Sequence, residues 1–86
     1  MVTDKTVFFN PDKKTDEELK KERYNKVVEV YKALVEKGYD PVNQLVGFLI
    51  SDDPTYITNY KEARNIISEI ERDELLEDMI RKYLEI

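Results

Sequence analysis

Side-chain chemistry in this chain is confined to hydroxyl, amine, guanidinium and carboxylate groups, because its 86 residues include neither Cys nor His. Thiolate and imidazole catalysis are thereby excluded, as are zinc, iron–sulfur and haem sites of the usual kinds. A Ser/Lys dyad or a carboxylate pair can still do acid–base work, and oxygen ligands alone suffice for Mg²⁺ or Ca²⁺. Asp52-Asp53 comes nearest to such a cation site, yet no further oxygen-rich spacing accompanies the two acids. Nothing gathers two carboxylates or a lysine into a pocket. The residues therefore predict no catalytic group, no metal and no cofactor.

Three other sets of side chains bear on recognition. Asn43-Gln44 is a polar pair in an apolar stretch, suited to satisfying neighbouring backbone groups or to packing at a dimer seam. Tyr39, Tyr56 and Tyr60 gather near turns, where a phenol offers an apolar ring and a wet hydroxyl, either as core or as the lining of a partner site. Arg64 and Arg72-Asp73 suit either a charged interaction site or a helix boundary fixed by a cap and an ion pair.

Charge narrows the partners. The net charge of −5 opposes a sequence-independent grip on nucleic acid, which needs clustered Lys and Arg facing phosphates. The charge is also uneven: residues 20–37 carry six cations against three acids, and residues 60–86 five cations against eight acids. Such halves can be ordinary solvated helix surface, or complementary surfaces that orient a dimer or dock a partner. The longest apolar run, Leu45 to Ile50, is far short of the roughly 20 residues that cross a bilayer. Asp4 and the lack of an apolar stretch near Met1 argue against a signal peptide. A cytoplasmic location without membrane insertion is expected.

The elements that hold these groups are helical throughout. Residues 1–14 lack a sustained period and end near Asn10-Pro11-Asp12, a turn signal, so they read as a flexible N-terminal tail. Thr15 followed by Glu18 is a capping box that starts a single helical domain over 15–86. Leu19, Tyr24, Val27, Val28, Tyr31, Leu34 and Val35 then recur at helical spacing as one apolar stripe. Gly38 ends that helix, and Asp40-Pro41 opens a second as N-cap and first helical residue. Val42, Leu45, Val46, Phe48, Leu49 and Ile50 cover nearly its whole circumference, so it is expected at the centre of the fold. Gly47 inside it costs roughly 1 kcal/mol relative to Ala, which close approach of another helix would offset.

Ser51-Asp52-Asp53-Pro54 ends the second helix, and Pro54, Tyr56 and Ile57 suit a short helical turn. Thr58 or Asn59 caps the next helix, with Ala63, Ile66, Ile67 and Ile70 inward. Glu71-Arg72-Asp73 marks a bend or new start before Leu75, Leu76, Met79, Ile80, Tyr83 and Leu84 on one face. Acids lead this segment and cations close it, as the helix dipole favours. The fold class is all-α, a compact bundle of four to five short helices. A core this small buries only about 60–65% of its unfolded surface, which makes association with a second copy attractive.

Gly38-Tyr39-Asp40-Pro41-Val42-Asn43-Gln44-Leu45-Val46-Gly47-Phe48-Leu49-Ile50-Ser51, then Asp53-Pro54-Thr55-Tyr56-Ile57, closely resembles the signature of the IreB family of regulatory phosphoproteins from Gram-positive bacteria. Ala63-Arg64-Asn65-Ile66-Ile67 and Glu71-Arg72-Asp73-Glu74-Leu75 continue the match in order, and Asp4-Lys5-Thr6-Val7 with Phe9 is similar to the family's opening segment. The resemblance implies a helical homodimer with a flexible N-terminus. It also implies a substrate of a transmembrane, envelope-sensing Ser/Thr kinase, modified on N-terminal threonines, with Thr6 the better-matched position and Thr3 the second. A Ser/Thr kinase, its cognate phosphatase and a downstream protein are the partners it implies, in envelope-stress or antibiotic-resistance signalling.

Three function classes follow. The first is a non-enzymatic phosphoregulated interaction protein. The second is a helix-turn-helix nucleic-acid binder with Tyr60 to Ile70 as recognition helix, where Lys61 and Arg64 are offset by Glu62 and Glu69. The third is an enzyme, which requires a polar pocket with perturbed carboxylates or a lysine.

Overall fold

A computed structural model describes residues 14–86. The expected flexible tail, with Thr3 and Thr6, lies outside the described residues except for Lys14, which is ion-paired with Glu22. Among the described residues the fold is all-α: α1 Asp16–Lys37, α2 Pro41–Ser51, a 3₁₀ turn Pro54–Tyr56, a second 3₁₀ turn Tyr60–Glu62, α3 Ala63–Ser68 and α4 Arg72–Leu84.

Local chemistry sets most boundaries as expected. The Thr15 hydroxyl accepts from the Glu18 amide while the Glu18 carboxylate accepts from the Thr15 amide at 2.8 Å. Gly38 ends α1 at φ 93°, a left-handed conformation that only a residue without Cβ adopts freely. Asp40 accepts from the amides of Val42 and Asn43, and Pro41 takes the first position of α2. Asp52 closes α2 in the left-handed region at φ 57°, where short polar side chains are tolerated best after Gly. Asp53 then caps the first 3₁₀ turn by accepting from the Thr55 amide and hydroxyl.

The third expected helix is divided. Lys61 and Glu62 both sit at positive φ, 50° and 63°, so the chain makes a 3₁₀ turn before α3 starts at Ala63. Thr58 still receives the Tyr60 amide on its hydroxyl, while Asn59 makes no side-chain cap. Glu71-Arg72-Asp73 is a new start, opening α4.

The core runs along one face of α1. Val30, Leu34, Ile57 and Ile67 are fully buried, joined by Ala33, Phe48, Ala63, Ile70 and Leu75. α1 packs chiefly on α3, and α2 on the first 3₁₀ turn. The described chain measures 55 × 29 × 20 Å. Its thinnest dimension holds only two helix diameters of about 10 Å each, so only a single central row is covered on all sides.

Two expectations are corrected here. α2 is not at the centre: Phe48 is its one buried residue, while Val42, Val46 and Ile50 are 67%, 45% and 79% exposed. The apolar residues of α1 form two faces rather than one stripe. Val27, Val30 and Leu34 enter the core, whereas Tyr24, Tyr31 and Val35 stay exposed on another side. Gly47 does mark a close approach, but of the Tyr56 ring rather than a helix: a Cβ there would lie 2.7 Å from Tyr56 Cδ1.

Candidate functional site

The polar chemistry of the fold is concentrated between the first half of α1 and α4, which run antiparallel. Arg23 donates from Nε to Asp78 Oδ2 at 2.6 Å and from Nη2 to Asp78 Oδ1 at 3.1 Å, and its Nη1 reaches Glu74 at 3.3 Å. Both partners of the Asp78 fork are four-fifths covered, and a planar guanidinium matches a carboxylate in this two-point geometry. Asp78 holds the guanidinium proton more firmly than usual, so the Arg23 pKa is raised. One turn further along, Lys26 pairs with Glu69 at 3.3 Å. The complementary basic and acidic regions expected from composition thus meet partly within the chain, as a seam between α1 and the segment from Glu69 to Asp78.

Beside this seam an open cleft of about 370 Å³ is lined by Leu19, Lys20, Arg23, Glu74, Asp78 and Arg81, among others. Its carboxylates Glu74, Glu77 and Asp78 are opposed by the guanidinium groups of Arg23 and Arg81. The arrangement suits electrostatic attachment rather than proton transfer.

The arginines singled out by sequence serve helix ends. Arg72 donates from Nη1 to the Leu49 carbonyl at 2.7 Å and lies 3.5 Å from Asp52, so it closes the last turn of α2, whose final carbonyls lack helical partners. Arg64 donates to the Ile57 carbonyl at 3.0 Å. Lys61 pairs with Glu36 at 2.8 Å, which raises the Lys61 pKa and lowers that of Glu36. Both cations of the expected recognition helix are therefore engaged within the chain, and the segment is a 3₁₀ turn plus a six-residue helix. No feature here supports nucleic-acid binding.

Asp52 and Asp53 are likewise occupied as cap residues; Thr55 donors lower the Asp53 pKa. Among the tyrosines, Tyr56 packs on Gly47, Tyr60 lies under Lys37 and Lys61 at 5.1 and 5.7 Å, and Tyr39 is 43% exposed. They do not form one patch of a single kind. Asn43 is exposed and Gln44 half-buried on α2, so this pair is not inside a buried helix. Among the cations in the first half of α1, Arg23 and Lys26 are paired with acids, while Lys20 and Lys21 are exposed with no ion pair among the described residues.

Sequence reasoning missed the role of Arg23. Its signal was present: it follows Leu19 by four residues and precedes Val27 and Val30 by four and seven, placing a guanidinium on the core-facing side of α1, where a charged group calls for an acidic partner.

The comparisons with known proteins agree with one another. The family model of the IreB regulatory phosphoprotein matches residues 4–85. A UPF0297 protein of Ruminiclostridium cellulolyticum is 56% identical over 72 residues, covering 84% of this chain and 82% of that protein. Another UPF0297 protein, from Acetivibrio thermocellus, is 51% identical over 85 residues, covering 99% of this chain and 90% of that one. A match over nearly the whole length, on top of an all-α fold with the expected caps, identifies the chain as a member of the IreB family of regulatory phosphoproteins.

Proposed function

We propose that this chain is a non-enzymatic, cytoplasmic regulatory phosphoprotein that acts through protein–protein contacts and carries its signal on Thr6, with Thr3 as a second site. The observation that carries the reading is the family match over residues 4–85, which includes Thr6 and begins one residue after Thr3. The kinase is a transmembrane, envelope-sensing Ser/Thr kinase, a cognate phosphatase reverses it, and the pathway serves envelope stress or antibiotic resistance. Residues 1–14 act as a flexible tail on a helical domain that forms a homodimer.

Physical chemistry supports the tail as the place of modification. A threonine ahead of the capped start of α1 enters a kinase cleft without unfolding the domain. Each phosphate adds about −1.5 to −2 charges and three strong acceptor oxygens. With a chain charge of −5, two phosphates nearly double the negative charge. Lys20 and Lys21 lie in the second turn of α1, close to where the tail joins, and can receive such a group.

The test is to expose the full chain to the kinase and map phosphate by mass spectrometry. Modification of Thr6, removed by Thr6→Ala, is expected; a kinase that leaves Thr6 unmodified sinks the proposal. Among the described residues no helix is long and apolar enough to cross a membrane, in keeping with a substrate that meets the kinase from one side.

A further inference from the structure

Residues 38–60 hold three aspartates and no Lys or Arg, in a chain with 14 cations. α2 itself has no charged residue. Its apolar side chains nevertheless face solvent: Val42, Val46 and Ile50 fall within about 80° of one another around the helix and are all exposed, forming one stripe along its length. Tyr39, just ahead of the helix, and Tyr56 are 43% and 52% exposed. Tyr56 widens the stripe, because its ring rests on Gly47. Gly is costly inside a helix, and here the cost seats a ring that stays half in water rather than one that enters the core.

The charge around the stripe is of one sign. Asp40 stands at its start and Asp52 with Asp53 at its end, about 18 Å away at the rise of an α-helix. Arg72 offsets Asp52 at 3.5 Å. Asp40 and Asp53 have no ion pair among the described residues. Lys37 and Lys61, which bracket the segment in sequence, lie over the Tyr60 ring instead.

We infer that the α2 stripe docks an amphipathic helix of another protein, one whose apolar face is closed at both ends by Lys or Arg. The inference rests on the reading of this chain as an interaction protein and adds a surface and a partner chemistry. Such a helix presents apolar anchors at i, i+3 or i+4, and i+7, the span from Val42 to Ile50. Its terminal cations then meet Asp40 and Asp53, which fixes its register and turns away helices that end in acids.

A second copy suits this face poorly. Two-fold pairing of α2 with α2 sets aspartate near aspartate, whether the helices run parallel or antiparallel, because both ends carry the same sign. The end of α4 is a weaker candidate for the same partner, since Glu77, Arg81, Lys82 and Glu85 mix both signs among the exposed Ile80, Tyr83 and Leu84.

Fluorescence anisotropy with the full chain in about 0.15 M salt tests the stripe. The probe is a labelled synthetic helix with a leucine face and lysines at both ends, compared with a twin that has glutamates in their place. Wild type is expected to bind the lysine-ended helix at least tenfold more tightly than the twin. Val46→Glu should weaken that binding at least tenfold although it adds an attractive charge, and Ile80→Glu, the same change on another exposed apolar residue, should leave it within twofold. Asp40→Asn with Asp53→Asn keeps both caps and should narrow the preference for lysine ends to less than threefold. Absence of binding, or an equal loss in Ile80→Glu, overturns the inference. So does a wild-type dimer that Val46→Glu separates in sedimentation equilibrium, which gives the stripe to a second copy. Binding tightened tenfold by Phe8→Ala with Phe9→Ala overturns it as well, since the chain's own N-terminal segment then covers the stripe. Thr6 modification is scored separately: a chain phosphorylated on Thr6 that ignores both helices loses this surface and keeps the functional reading.

Discussion

Arg23 shows how one side chain can attach an element. α4 joins the core through Leu75 and Met79 and meets α1 in the charged seam, where the two-point contact of Arg23 with Asp78 spans 55 positions in sequence. Both groups are mostly covered, so the pair is more than a solvated surface bridge, and hydrogen bonds to charged groups of this kind contribute about 1.5–3 kcal/mol. Arg23→Ala is expected to cost about 1–2 kcal/mol in urea unfolding, because it also strands the Asp78 carboxylate. Arg23→Lys should recover only part of that, since an ammonium cannot make the fork. The same residue scale explains why the sequence left Arg72 and Arg64 open between an interaction site and a helix boundary. An arginine that satisfies carbonyls at Leu49 or Ile57 has the same composition and spacing as one awaiting a partner; its target is visible only once the chain has turned back on itself.

Capping chemistry decides the behaviour of single elements, and it was legible early. Thr15, Glu18, Gly38, Asp40 and Pro41 act within a few residues of themselves, so their types and spacing were enough to place both ends of α1 and the start of α2. The Thr15 amide and hydroxyl hold the Glu18 carboxyl below its ordinary range, and Lys61 and Thr55 do the same for Glu36 and Asp53. A carboxylate whose folded pKa is depressed stabilises fully above its unfolded value and loses that contribution as pH falls through the folded one. Acidification below about pH 4 is therefore expected to lower stability, and the first turn of α1 should loosen as its cap is protonated. Amide chemical shifts of Thr15 and Glu18 followed against pH check this; in Glu18→Ala the acid-dependent change of this turn should vanish. The boundary between Tyr60 and Ala63 was not legible. Lys61 and Glu62 are ordinary helix formers, and nothing in their types announces the positive φ that both adopt between the buried Ile57 and Ala63.

For the whole molecule, the division of labour proposed between tail and domain has its own consequence. Among the described residues, those that are buried lie between Val30 and Leu75, and α1 closes its own first turn at Thr15. Thr3→Ala and Thr6→Ala together are thus expected to change unfolding stability by less than about 0.5 kcal/mol while abolishing the response to the kinase. Thermal unfolding of the double variant beside wild type, with phosphate incorporation in the same samples, checks both halves of the statement.

The amino-acid sequence by itself determined the helical class, the punctuation of the chain by caps and turns, and the family to which it belongs, because each depends on residues near one another or on strings read in order. Tertiary structure decided which apolar residues are core. Helical spacing establishes that Val42, Val46 and Ile50 share a side, or that Tyr24 and Tyr31 do. Whether anything covers that side depends on segments far away in sequence, so α2 went from expected centre to half-exposed flank. The same non-local packing split the apolar residues of α1 into a buried face and a free one. It also joined the basic and acidic regions within one molecule through Arg23 and Lys26, since opposite charges in composition do not say whether their partners are on the same chain.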